Sequence, residues 1–248
     1  MKKFIVTIFS LSIIITLWSC SKEEASDEFF AWMDAYLSTA SQSENIITAT
    51  LFFKEKPFKK EDVVNISFLD IEPKDISINS FDIQESGKSN QRYNSYGISL
   101  TYLASNTGIF KTSGIQINLT DKSLSYKIGN WVFDVGSEDS EEIDTWSSPG
   151  ASSNSKEFTY DYTINEEDTK ITEIYFGEDS FIKSTHALGV HGRISLEDYY
   201  NSPIVYIKTK ILTKKGKEKL ITYGKGCYCG ALASPDIIKI SRKQNRGS

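Results

Sequence analysis

From Asn45 onward, period-two alternation of apolar side chains dominates, the signature of half-buried strands. Phe158, Tyr160, Tyr162 and Ile164 alternate with Thr159, Asp161 and Thr163. Ile98, Leu100 and Tyr102 do so with Ser99 and Thr101. Ile115, Ile117 and Leu119 lead through Thr120-Asp121-Lys122 into Leu124, Tyr126 and Ile128, which reads as a hairpin. A second hairpin joins Ile204–Thr213 to Lys219–Tyr223, with Gly216 supplying the positive φ of its turn. Further strands are expected at 46–53, 63–69, 76–83, 131–135, 170–176 and 236–240. No helical stripe longer than three turns follows residue 45. The expectation is an all-β fold, an antiparallel β-sandwich over residues 45–248. The long Ser- and acid-rich stretch from Gly136 to Lys156 would divide it into two β halves, if it is divided at all.

Ahead of that domain the pattern changes. Phe29, Phe30, Met33 and Leu37 fall near helical spacing, with Asp27 and Glu28 placed to favour a helix N-terminus. A tether leading into a short N-terminal helix is therefore expected over residues 20–44. Further upstream, Lys2 and Lys3 precede an apolar run from Phe4 to Leu17. At ~1.5 Å per residue that run makes about 21 Å of helix, short of the ~30 Å needed to span a bilayer. It has the form of a removable export signal, residues 1–19.

Leu17-Trp18-Ser19-Cys20 resembles the lipobox of bacterial lipoproteins. The resemblance implies cleavage before Cys20 and lipidation of its thiol, with acyl chains (palmitate among them) holding the protein on the membrane at ~0.8 kcal/mol per buried CH₂. Ser21-Lys22-Glu23-Glu24 resembles the short signal that sends some Gram-negative lipoproteins to the outer face of the outer membrane. Loss of residues 1–19 removes two lysines and no acid, which makes a net charge of −5 more negative still. A lipid, rather than a basic patch, would then make the membrane contact.

Composition removes other classes. With 28 Lys+Arg against 33 Asp+Glu the chain lacks the excess of positive charge that binds nucleic acid. Three cysteines among 248 residues do not make a disulfide scaffold. There is no phosphate-cradling loop, dinucleotide fingerprint or Gly-x-Ser-x-Gly elbow, and no motif implies a cofactor.

The candidate residues are few. Cys227 and Cys229 stand two apart. On a strand their Cα atoms would be about 7 Å apart, too far for an unstrained disulfide, whereas a tight turn would let them bridge. A local disulfide leads, unpaired structural thiols come next, and a metal pair is the weakest reading, since a zinc site would also need His186 and His191. No metal is assigned. Glu142-Ile143-Asp144-Thr145-Trp146 resembles the front of the Glu-x-Asp-x-x-Glu signature of jelly-roll glycoside hydrolases, but the final glutamate is missing and a solvated acidic loop explains it better. Asp134, Glu138, Asp139, Glu141, Glu142 and Asp144 could offer oxygens to calcium, without EF-hand spacing. Trp131, Trp146, Tyr199 and Tyr200 are the candidate ligand-binding rings, at strand ends or in loops where they could stack on sugars. Lys208, Lys210, Lys214, Lys215, Lys217 and Lys219 read as a solubilising hairpin. The functional expectation is a non-enzymatic binding or adhesion module for a glycan or an envelope protein. The alternative is an accessory subunit of an outer-membrane complex, and a carbohydrate-active enzyme stands last.

Overall fold

The computed structural model describes residues 28–86, 93–137, 143–146, 157–164, 168–177, 191–195 and 202–246. Within them the chain runs through β1 (Phe29–Phe30), β2 (Met33–Ala40), β3 (Ser43–Phe53), β4 (Val63–Phe68), β5 (Ile76–Ser86), β6 (Asn94–Ala104) and β7 (Gly108–Leu119). It continues through β8 (Ser123–Gly136), β9 (Ile143–Trp146), β10 (Glu157–Ile164), β11 (Thr169–Tyr175), β12 (His191–Ser195), β13 (Ile204–Lys215) and β14 (Glu218–Ala231). One helix, α1 (Ser234–Arg246), follows. The expected β class holds, and both expected hairpins are present as β7–β8 and β13–β14, the latter turning at Gly216 with φ 58°.

The strands form three layers. The central sheet has the order β11-β13-β2-β8-β7-β4, with β14 added along β13. A four-stranded sheet, β1-β3-β6-β5, covers one face, and a three-stranded sheet, β12-β10-β9, contributes to the core on the other. Two strands of the central sheet show why. Met33, Ala35 and Leu37 of β2, and Trp131, Phe133 and Val135 of β8, join the larger apolar core. Their neighbours Tyr36 and Val132 join a second core with Tyr160, Tyr162, Ile174 and Ile207. Side chains alternate across a strand, so residues from both alternations are buried only if both faces are covered.

This corrects the reading of residues 20–44. Phe29, Phe30, Met33 and Leu37 lie on strands, and the N-terminal helix is not present in the described residues. A strand buried on both faces loses its period of two, and the apolar residues that remain imitate a helical stripe. The sheet is also not purely antiparallel, because β2 runs parallel to both β8 and β13. The strand expected at 236–240 is part of α1. There Asp236 sits in the first turn, where negative charge is favoured, and Ile238 and Ser241 are buried three residues apart. The β-branched Ile237, Ile238 and Ile240 hide that spacing. Strands on both sides of the 136–156 stretch share one hydrogen-bonded sheet, since β13 pairs with β2.

The path between β1 and β2 shapes the molecule's edge. Phe29 and Phe30 pair with Phe52 and Leu51, and the Ala31 N–H donates to the Thr50 carbonyl at 2.8 Å. The chain then leaves β3. The Trp32 N–H donates to Ser241 Oγ at 2.8 Å, and its carbonyl accepts from Ser202 Oγ at 3.3 Å. From Met33 the chain belongs to the central sheet, so the stretch of β3 before Thr50 has no strand partner on that edge among the described residues.

The parallel pairing of β2 with β8 begins beside Gly129. This glycine has φ 123°, and a Cβ there would lie 1.9 Å from the Met33 carbonyl oxygen. Next to it, the Asn130 N–H and Nδ2 both donate to Asp34 Oδ1, at 3.0 and 2.9 Å. Gly129→Ala is expected to destabilise the fold by about 3 kcal/mol or more, since backbone rather than a flexible side chain must yield. Urea unfolding with an unchanged m-value would measure it; a loss below about 1 kcal/mol would contradict so close an approach.

Candidate functional site

The hairpin β13–β14 carries the most chemically distinctive surface of the described chain. Its register places Tyr206 opposite Cys229 and Lys208 opposite Cys227. Residues two apart share a face, so the two thiols, the phenol and the ammonium form a four-residue patch on one side of the hairpin. The register depends on a bulge between Lys208 and Lys210, where Gly224 and Gly226 take φ values of 68° and 87°.

Cys227 and Cys229 lie unbridged in the structure, where a local disulfide was the first expectation. The reason is the extended backbone of β14, which holds residues two apart beyond comfortable disulfide reach. Burial pushes both thiols above the ordinary cysteine range. The Tyr206 hydroxyl, which donates to Cys227, and the nearby Lys208 ammonium oppose that shift for Cys227 without cancelling it. Both are therefore protonated at neutral pH and poorly nucleophilic.

Burial also lowers the Lys208 ammonium from its usual range. Its Nζ donates to Asn45 Oδ1 at 2.7 Å, and no carboxylate pairs with it among the described residues. Behind Tyr206, the Tyr102 hydroxyl is fully buried with no hydrogen-bond partner among the described residues. Tyr206 itself is pushed up chiefly by burial, then by its bond to Cys227.

A groove of about 300 Å³ opens beside this patch. Met33, Ile204, Tyr206 and Cys229 line it from the central sheet, and consecutive residues Ile46–Thr50 line it from β3. Five residues in a row reach one groove only along a strand edge. Thr50 directs its carbonyl to that edge, so by period two Thr48 and Ile46 direct their N–H and C=O groups there as well. Ile46 is 59% exposed at the rim. A second cleft of about 350 Å³ is lined mainly by charged residues, Lys56, Lys59, Lys60, Glu61 and Glu85, with Lys56 bonded to Glu85 at 2.8 Å.

The other sequence candidates scatter. Trp131 is not a surface platform: it is 1% exposed, and its Nε1–H donates to the Met33 carbonyl at 3.0 Å. Trp146 pairs with Tyr162 in β9–β10, but its side chain lies outside the described residues, as do Tyr199 and Tyr200 entirely. Cys20, His186, Glu138, Asp139, Glu141 and Glu142 also lie outside them, as does the side chain of Asp144. His191 is exposed on β12, opposite Asp161. Asp134 is 5% exposed and engaged by Tyr36 and Lys210. Nor is the lysine strip uniformly solubilising. Lys214, Lys217 and Lys219 are exposed, whereas Lys208 and Lys210 point to internal acceptors.

Two features escaped the sequence reading: the groove beside β3 and the buried Tyr36–Asp134–Lys210 cluster. Gly224-Lys225-Gly226 was the available signal for the bulge that sets Lys208 beside Cys227.

No known protein family and no curated protein matches the chain. Among solved structures, the fibronectin(III)-like modules of Clostridium thermocellum CbhA are 8% identical over 81% of this chain and 90% of that one, with a TM-score of 0.22. A structure named BspA_C_WT is 7% identical over 79% of this chain and 95% of that one, with a TM-score of 0.18. At that level of superposition the likeness carries nothing about function.

Proposed function

We propose that the chain is a lipid-anchored lipoprotein of the bacterial outer membrane, exposed at the surface. Its β domain serves as a non-enzymatic binding module that takes an extended protein segment along the β3 groove. The anchor rests on the Leu17-Trp18-Ser19-Cys20 resemblance. The binding reading is carried by the edge of β3, which has no strand partner before Thr50 among the described residues and where the backbone groups of Ile46 and Thr48 face an apolar groove. An incoming strand could satisfy these groups while its alternate side chains rest on Ile204, Tyr206 and Cys229. A protein segment is preferred over a glycan because Trp131, the only candidate ring whose side chain is described, is buried in the core.

Two experiments test the reading. Cys20→Ala should move the protein from the membrane to the soluble fraction; full retention would remove the anchor. For the groove, a displayed peptide library panned against the full chain should enrich extended segments whose binding slows hydrogen exchange at Ile46 and Thr48. Thr48→Pro should cut their affinity at least about tenfold, because proline removes the edge N–H; of the pairing with β6 it removes only the exposed hydroxyl contact of Thr48 with Ser99 at 3.0 Å. Peptides that bind Thr48→Pro equally well would place recognition elsewhere. A glycan that stabilises the protein in a thermal-shift panel, with no peptide enriched, would turn the reading to sugars.

A further inference from the structure

From the patch on β13–β14 we infer that Cys227 and Cys229 form a two-coordinate binding site for a soft monovalent cation of the copper(I) or silver(I) type. This goes beyond the peptide-groove reading, with which it shares Tyr206 and Cys229 at the groove wall.

The first is geometric. Two thiols on one face of a strand, their Cα atoms about 7 Å apart, are too widely set for a direct S–S bond but well set for an ion between the sulfurs. The second is the donor count. Among the described residues no three of His, Cys, Asp and Glu converge, so none of them adds a third ligand for a zinc shell. Monovalent d¹⁰ ions are satisfied by two thiolates in line, and thiolate is the ligand class they select.

The third observation is charge. Two thiolates around a monovalent ion carry a net charge of −1. Lys208, directly across from Cys227, is a half-buried lysine whose recorded contact is the neutral Asn45 amide. Bound monovalent metal would give that ammonium its missing counter-charge. A divalent ion would leave the bis-thiolate neutral and Lys208 uncompensated. Tyr206 stands directly across from Cys229 on the same face, so its hydroxyl belongs to the surroundings of the two sulfurs. Access is available because Cys229 lines the groove. Coordination displaces one proton from each thiol, and no oxidation or reduction is involved.

The test uses the full chain in detergent carrying Cys20→Ser, which leaves Cys227 and Cys229 as its only thiols. Silver(I) serves as the probe because it needs no reductant. One equivalent should bind per chain and protect both thiols from a thiol-specific reagent. Cys227→Ser and Cys229→Ser should each weaken binding by at least about a hundredfold, with unchanged circular dichroism. Lys208→Gln should weaken silver(I) binding about tenfold or more while leaving mercury(II) binding within about twofold. Three results would overturn the proposal: silver retained by either serine variant, an equal loss of both metals in Lys208→Gln, or a purified chain already closed as a 227–229 disulfide.

Discussion

Trp131→Ala is expected to destabilise the protein by about 3–5 kcal/mol, the range for deleting a large aromatic side chain from a packed core. Trp131 is among the largest fully buried side chains described, 1% exposed and packed against the Phe68 ring at 6.1 Å. Its removal opens a cavity between the central sheet and the β1-β3-β6-β5 sheet. It also deprives the Met33 carbonyl of the indole donor at 3.0 Å, at the point where β2 and β8 begin to pair. For a chain of this size such a loss corresponds to a fall in Tm of roughly 10 °C. Trp131→Phe keeps most of the volume and should lose much less. Thermal unfolding followed by near-ultraviolet circular dichroism would measure both. An unchanged Tm would mean that the ring does not fill the core, and would restore it as a surface platform.

Asp134→Ala should cost a similar amount, about 3–5 kcal/mol, for an electrostatic reason. The Asp134 side chain is 8% exposed and pairs with the Lys210 ammonium, which is 20% exposed. The Tyr36 hydroxyl also donates to Asp134 Oδ2, at 2.6 Å. Lys210 lies 4.8 Å from the centre of the Tyr175 ring, whose own hydroxyl bonds to Glu173 and is pushed up to about 12, first by burial and then by that carboxylate. Removing Asp134 leaves the ammonium in a partly buried site with the Tyr175 π face as its remaining described contact. The double variant Asp134→Leu with Lys210→Met removes both charges and should recover most of the loss. Urea unfolding of the two single variants and the double variant completes the cycle. A double variant as unstable as Asp134→Ala would show that packing, not the orphaned charge, sets the cost.

The residues that were legible from the sequence share one property: each belongs to a strand with one polar face. Ile98, Leu100 and Tyr102 alternate cleanly because the opposite face of β6 is less covered. β7 and β8 were recognisable as a hairpin for the same reason along Ile115–Ile128. The failures fall where a second layer intrudes. Met33–Ala40 lost its alternation because both of its faces are buried, and the stripe left behind resembled a helix. Trp131 looked like a ring at a strand end, yet it lies under a sheet that its own neighbours in sequence do not reveal. Lys208 and Lys210 looked solvated because their acceptors, Asn45 and Asp134, are 163 and 76 residues away.

The candidate site shows the same division. The pair Cys227 and Cys229, with its same-face geometry on any strand, was evident in the linear pattern. Their opposition to Lys208 and Tyr206 was not. Continuing the register of the hairpin end unchanged would set Tyr206 opposite Cys227, and the bulge at Gly224–Gly226 moves the partners by two residues. The groove required more still, because it exists only where β1 abandons the edge of β3 and crosses into another sheet.

By itself, then, the sequence determined the β class, most strand positions and both hairpins, because alternation and turn chemistry are local properties of the chain. Tertiary structure decided which strands have two buried faces, which lysines are internal and which edge is left open. Those outcomes depend on layers supplied by residues far away in the chain, and no local period encodes them.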